Sequence, residues 1–175
     1  MMDFMDLVKQ RYSERAFDSC PLEQDKLDLI LEAGRLAPTG CNYQPQRFYV
    51  LKSEASLTAI RGLTSCYNAP LMILVCYDTK AAADLSKLES MREHFDLGEQ
   101  DASIAAASMM FEAEYLGVHS IWIRGFDSAK VSDAFHLPEN IIPVMLLGLG
   151  YPSERSKPSI LHTKRNPIDS FVTIL

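Results

Sequence analysis

An α+β domain is predicted from three observations. Helical patterns alternate with short runs of strand length. Two apolar runs, Leu71–Tyr77 and Val144–Leu149, read as buried strands, the first covered on both faces. No internal repeat, low-complexity tract or domain linker divides the 175 residues, a length that suits one domain with a sizeable core.

The elements follow in chain order. Phe4, Leu7 and Val8 recur at helical spacing and give a short amphipathic first helix. Ser19 and Pro21 ahead of Glu23 and Asp25 mark a second helix start, with Leu27, Ile30, Leu31 and Gly34 on its inward face. That helix should end near Ala37-Pro38, because a residue before proline avoids the α region. Residues 38–46 form a loop, Arg47–Leu51 a strand, and Ser53 caps a short helix to about Arg61. The polar stretch 78–99 holds a candidate helix at Leu85–Phe95. Gln100–Leu116 is the longest helix, and its many alanines allow close backbone approach to another element; Gly117 stops it. Ser120–Ile123 is a strand, Ser128–Phe135 a helix and Val144–Leu149 the last strand. From Tyr151 to Leu175, three prolines and little periodicity suggest an arm in need of a partner surface.

Composition removes several function classes. Hydrophobic residues make up 47% and charged residues 23%, which is ordinary for a soluble globular chain. A net charge of -6 disfavours a nucleic-acid backbone as partner but leaves room for one phosphate in a local basic pocket. Cys20, Cys41, Cys66 and Cys76 form no CxxC pair and do not cluster with the histidines. No metal site or disulfide framework is expected, and a reducing cytoplasm is the natural compartment. The N-terminus carries acids where a signal peptide would be basic, and no apolar stretch approaches membrane-spanning length.

Four segments carry candidate chemistry. In an extended chain, Arg11, Ser13 and Arg15 point the same way, and two guanidinium forks with a hydroxyl suit a phosphate. The same residues also suit a solvated basic turn. Pro38-Thr39-Gly40-Cys41-Asn42-Tyr43-Gln44-Pro45 combines a glycine that lets backbone approach a ligand with amides that donate and accept, as a flat ring with alternating donors and acceptors on its edge requires. A plain polar loop explains it as well. Ile121-Trp122-Ile123-Arg124-Gly125-Phe126 can wall a flat ring with its apolar end while backbone near Gly125 meets a polar edge, or can be a core strand meeting a turn. Lys164 and Arg165 can close a phosphate pocket from the far side, although exposed cations are mostly just solvated. Gly148-Leu149-Gly150 is followed at once by Tyr151-Pro152 and has no third glycine, so a Rossmann loop is rejected.

In their order and spacing these segments resemble the nitroreductase family of FMN oxidoreductases. The marks are Arg11–Arg15, Ala37–Pro45, Asp101–Ile104 leading to Glu114–Gly117, Trp122–Phe126, Gly148–Pro152 and Lys164–Ile168. The resemblance runs from about Asp3 to Val172. It implies a central mixed or antiparallel sheet flanked by helices, in an intertwined homodimer with FMN sites at the interface. Residues 1–175 would be one FMN-binding domain, with 151–175 as an arm on the partner subunit. By resemblance, Arg11, Ser13 and Arg15 hold the FMN phosphate and ribityl chain, with Tyr12 beside them. Pro38, Thr39, Gly40 and Asn42 reach the flavin from the second subunit, Ile123, Arg124 and Gly125 lie by its N5 edge, and Lys164 and Arg165 lie near the phosphate. The chain departs from the family where Gln46 and Arg47 follow Gln44-Pro45 in place of an aromatic, and where Arg124 replaces a glycine or an acid. No ring-contacting amide and lysine are assigned between Gly62 and Asn68.

The implied activity is electron transfer from NAD(P)H to a small aromatic or quinone-like acceptor, in ping-pong fashion. The cofactor carries the chemistry and the protein supplies binding and orientation, so no protein nucleophile is expected. The alternatives are another flavin reduction on the same fold, of an enone or a halogenated substrate, and a non-catalytic FMN-binding dimer or sensor.

Overall fold

The computed structural model describes residues 3–82 and 96–175. The candidate helix at Leu85–Phe95 lies outside them. Among the described residues, four strands form one antiparallel sheet in the order β1-β2-β4-β3: β1 (Gln46–Leu51), β2 (Leu71–Asp78), β3 (His119–Ile123) and β4 (Ile141–Gly150). Helices α2 (Gln24–Arg35) and α4 (Leu97–Tyr115) cover one face; α3 (Glu54–Arg61) and α5 (Ser128–Ala134) cover the other. Helix α1 (Phe4–Gln10) packs on α4, with the Phe4 and Phe111 ring centroids 5.8 Å apart.

Strand β2 shows why its sequence is apolar throughout. Leu71, Ile73, Val75 and Tyr77 enter the core under α2 and α4, while Met72, Leu74 and Cys76 enter the core under α3 and α5. Alternation along the strand feeds two buried faces, so no polar position is left. Strand β4 begins three residues before the expected Val144, because it runs through Pro143. Register shifts between Val75 and Cys76: Val75 pairs with Met145 and Cys76 with Pro143, leaving Val144 as the extra residue of a bulge. A bulge is where a sheet tolerates a proline. It also places the consecutive residues Val144 and Met145 in the same core.

Helix α4 starts one turn before the expected Gln100. The Asp96 side chain caps it by accepting from the Glu99 N–H. Its small residues, Ala102, Ala105, Ala106 and Ala113, are buried, and Gly34 of α2 packs so close that an added Cβ would lie 2.9 Å from Met109 Cγ. The helix ends as expected at Gly117 (φ 73°), where Val118 N–H reaches Ala113 O and Gly117 N–H reaches Glu114 O. That double closure satisfies carbonyls the helix end would otherwise orphan.

Gly98 gives a sharp test of packing at the start of α4. A Cβ there would fall 2.2 Å from Tyr77 Cδ2, and the Tyr77 ring is braced by its hydroxyl donating to Asp96 at 2.5 Å. Gly98→Ala is expected to cost about 1–3 kcal/mol, read as a lower urea midpoint. An unchanged midpoint would mean the ring is free to move aside.

Apolar side chains remain exposed on α1 (Phe4, Met5), on α4 (Ile104, Tyr115) and along the tail (Ile160, Leu161, Phe171, Ile174). The tail carries one 3-10 turn, Ile168–Ser170. No helix among the described residues is long and apolar enough to cross a membrane.

Candidate functional site

The site begins where α1 stops. Arg11 caps its end, and the chain then extends alongside β3, with Glu14 N–H donating to Ser120 O at 3.0 Å. Alternation turns Glu14 inward, with 1% of its surface exposed, and leaves Arg15 on the surface and Ser13 half-buried. The Glu14 carboxylate accepts from Arg15 N–H (2.9 Å) and Ala16 N–H (2.7 Å) on one oxygen. The other oxygen accepts from the hydroxyls of Tyr12 (3.0 Å) and Ser156 (2.5 Å). His119 Nδ1 lies 3.3 Å from that second oxygen without meeting hydrogen-bond geometry.

Burial pushes the Glu14 carboxyl up, but the bonds from Ser156, Ala16, Tyr12 and Arg15 together outweigh it and hold the group below its ordinary value. A carboxyl depressed by folding adds stability that is fully present above its unfolded value and is lost as pH falls through the folded one. Stability should therefore fall on the acid side, and Glu14→Gln should flatten part of that fall. A series of thermal midpoints from neutral to acid pH checks this, and parallel curves for the two proteins would refute it.

Arg15 projects into an open cleft of about 530 Å³. Its other walls are Thr64, Ser65 and Tyr67 from the α3–β2 connection and Ile121–Gly125 from the end of β3. Thr64 Oγ1 donates to Gly125 O at 3.0 Å and ties the two walls together. The Arg124 guanidinium stands at the rim, 3.4 Å from Glu99 Oε1 and with its carbon 5.9 Å from the Phe126 ring centroid. Two arginines, Arg15 and Arg124, and three hydroxyl-bearing residues, Thr64, Ser65 and Tyr67, therefore line one space, while the Trp122 side chain packs against the core under α2 and α4, and no carboxylate is among the described residues that line it. Such a donor set suits an anionic ligand with a flat polar ring. A second cleft of about 510 Å³ shares Arg15 and Tyr67 and continues past Asn68 to Ser153 and Arg155. The corner between the clefts is built from two consecutive left-handed residues, Tyr67 (φ 53°) and Asn68 (φ 61°).

Of the residues expected at the site, one chain brings together Arg15, Ile123, Arg124 and Gly125. Ser13 sits beside them, its carbonyl accepting from Arg15 Nη1 at 3.1 Å. Arg11 and Tyr12 line neither cleft; the Tyr12 hydroxyl turns to Glu14 and Ser156. Pro38, Thr39, Gly40 and Asn42 line neither cleft either. Their loop is pinned to α4 by Gly40 N–H donating to the buried Asp101 at 2.9 Å, and it holds Cys41, Asn42 and Gln44 in left-handed conformations. Lys164 and Arg165 are exposed on the tail, where Arg165 bonds the carbonyls of Leu161 and Lys164. Thr64, Ser65 and Tyr67 were not expected. Short hydroxyl side chains form no motif, and only the Tyr67-Asn68-Ala69-Pro70 turn chemistry hints at a corner.

Comparison with known proteins is consistent in one direction. The nitroreductase family model matches residues 8–66 and 63–151. The NADH dehydrogenase of Thermus thermophilus is 27% identical over 187 residues, covering 91% of each chain. A nitroreductase family protein from Clostridium difficile 630 is 34% identical, with 98% of each chain covered and a TM-score of 0.89. A protein from Exiguobacterium sibiricum, described as a candidate nitroreductase in complex with FMN, is 24% identical with a TM-score of 0.82, covering 100% of this chain and 98% of its own. At that identity it speaks for the fold alone.

Proposed function

The chain belongs to the nitroreductase family, and from that premise we propose that it is an FMN-dependent oxidoreductase passing electrons from NAD(P)H to a small electron-poor acceptor, nitroaromatic or quinone-like. The observation that carries this reading is the cleft in which Arg15 meets the Ile123-Arg124-Gly125 end of β3. Bound FMN would supply hydride acceptance and electron return from one shelf, which makes the exchange ping-pong. Arg15 would bind the phosphate-bearing part of the cofactor, and Ser13 beside it would add a hydroxyl. The backbone at Arg124-Gly125, held by Thr64, would orient the ring edge. Pro38, Thr39, Gly40 and Asn42 would come to the same cleft from a second subunit, since in their own chain they lie at Asp101 on α4. The exposed apolar residues of α1, α4 and the tail support such a homodimer, with the arm 151–175, whose first residues Tyr151–Ser156 bond their own chain, reaching onto the partner. The free cysteines fit a reducing cytoplasm.

Arg124 would place positive charge at the rim, where negative charge accumulates on reduction. Arg124→Ala is expected to lower the flavin potential or raise KM for anionic acceptors by about tenfold, the worth of one charged hydrogen bond. Unchanged potential and kinetics would remove Arg124 from the site.

The test of the function is a visible spectrum of the purified protein after FMN addition and desalting, followed by anaerobic NADH and NADPH. Retained flavin bands that bleach support the oxidoreductase. Retained bands that neither nicotinamide bleaches point to a binding protein or sensor, and no retained flavin overturns the reading.

A further inference from the structure

Glu14 stands between two parts of the chain that the candidate site needs. On one side it fixes the backbone of residues 12–16, from which Arg15 enters the cleft. On the other side it holds the start of the tail. After β4 the chain is zipped to this segment by Asp18 N–H to Tyr151 O and Ser153 N–H to Ala16 O, both at 2.8 Å. Ser156 Oγ then donates to Glu14 at 2.5 Å and lies 2.9 Å from the Tyr12 hydroxyl. Further along, His162 packs edge-on to Tyr12 at 5.9 Å between centroids, two residues before Lys164. The Tyr151 hydroxyl adds bonds to Glu23 and Lys26 at the start of α2, and beyond Ser156 the hydrogen bonds of the described tail are within itself.

We propose that Glu14 is a positioning residue whose buried carboxylate clasps Ser156 and so couples docking of the tail to occupancy of the Arg15 cleft. The two arrangements share one buried carboxylate, with the backbone of residues 15 and 16 on one oxygen and Ser156 and Tyr12 on the other. When Ser156 is docked, all four donors of the carboxylate are placed, two of them the backbone N–H groups of Arg15 and Ala16. When Ser156 leaves, one carboxylate oxygen loses its shortest bond in a buried place, and Tyr12 loses a partner too. A ligand that draws on Arg15 must then favour the docked tail, and a docked tail must favour the ligand by the same factor. The inference rests on the proposed FMN function, and its test is chosen to tell the two apart.

Ser156→Ala removes the clasp while leaving Glu14 its other three donors, so the fold should be kept. FMN affinity is read by flavin fluorescence quenching, and amide hydrogen exchange of residues 153–165 is followed with and without FMN in the full-length protein. In the wild type, FMN should slow exchange of the tail. In S156A that slowing should be lost and the Kd for FMN should rise about five- to tenfold; Glu14→Gln should act in the same direction. A wild-type tail whose exchange is indifferent to FMN, or an S156A protein that binds FMN as the wild type does, overturns the coupling. Wild-type protein that binds no FMN overturns the functional reading, and the coupling with it.

Discussion

Arg15→Ala is expected to leave the protein without flavin after desalting, with FMN affinity lowered roughly 10- to 100-fold, the worth of charged hydrogen bonds to a single group. Among the described residues Arg15 is the one cation that lines both clefts, and its backbone is fixed by Glu14. The side chain is exposed, which separates this effect from folding: the thermal midpoint of the flavin-free protein should hardly move. Arg15→Lys keeps the charge but not the planar fork and should recover only part of the affinity. Titration of each variant with FMN decides it. Affinity within twofold of the wild type would place the phosphate elsewhere.

Leu74→Ala should be strongly destabilising. Leu74 has no exposed surface and sits in the middle of β2, in the core under α3 and α5. Removing a buried leucine side chain costs about 2–5 kcal/mol, through lost transfer energy and the cavity left behind. For a chain of this size that is a fall in thermal midpoint of roughly 4–20 °C. Protein concentration must be held fixed, because a dimer's midpoint depends on it. Leu36→Ala is the control, since Leu36 is 65% exposed and its loss should be nearly silent. Equal midpoints for the two variants would contradict the double cover of β2.

What was legible in the sequence was written in local signals. Ser53 caps α3, with its side chain accepting from Ser56 N–H, and Gly117 ends α4 in a left-handed turn. The apolar run of β2 follows from two covered faces. Legibility failed where a local signal pointed the wrong way. Pro143 hid the start of β4, because the bulge that admits it depends on the neighbouring strand. Asp96 hid the start of α4, because a cap at the end of a polar stretch looks like more of that stretch.

The candidate site was half legible for a related reason. Arg15 and Ile123–Gly125 belong to recognisable segments and meet in space. Thr64 and Ser65 reach the cleft only because α3 and β2 carry their connection there, and nothing in two short hydroxyl side chains announces that. Glu14 was visible only as one letter of a motif. Its burial and its four donors are tertiary facts that no spacing encodes.

The corner at Tyr67 and Asn68 has a consequence for how this protein can change. Both residues hold a backbone conformation that costs side-chain-bearing residues energy, tyrosine more than asparagine. Glycine would relieve that cost, but at position 67 it would also delete a ring that walls both clefts. Robustness and fit are therefore set against each other in a single residue. Selection for heat tolerance alone would drift this corner toward glycine and blunt what the cleft can discriminate, whereas selection for turnover would keep the uncomfortable tyrosine and seek its stability elsewhere.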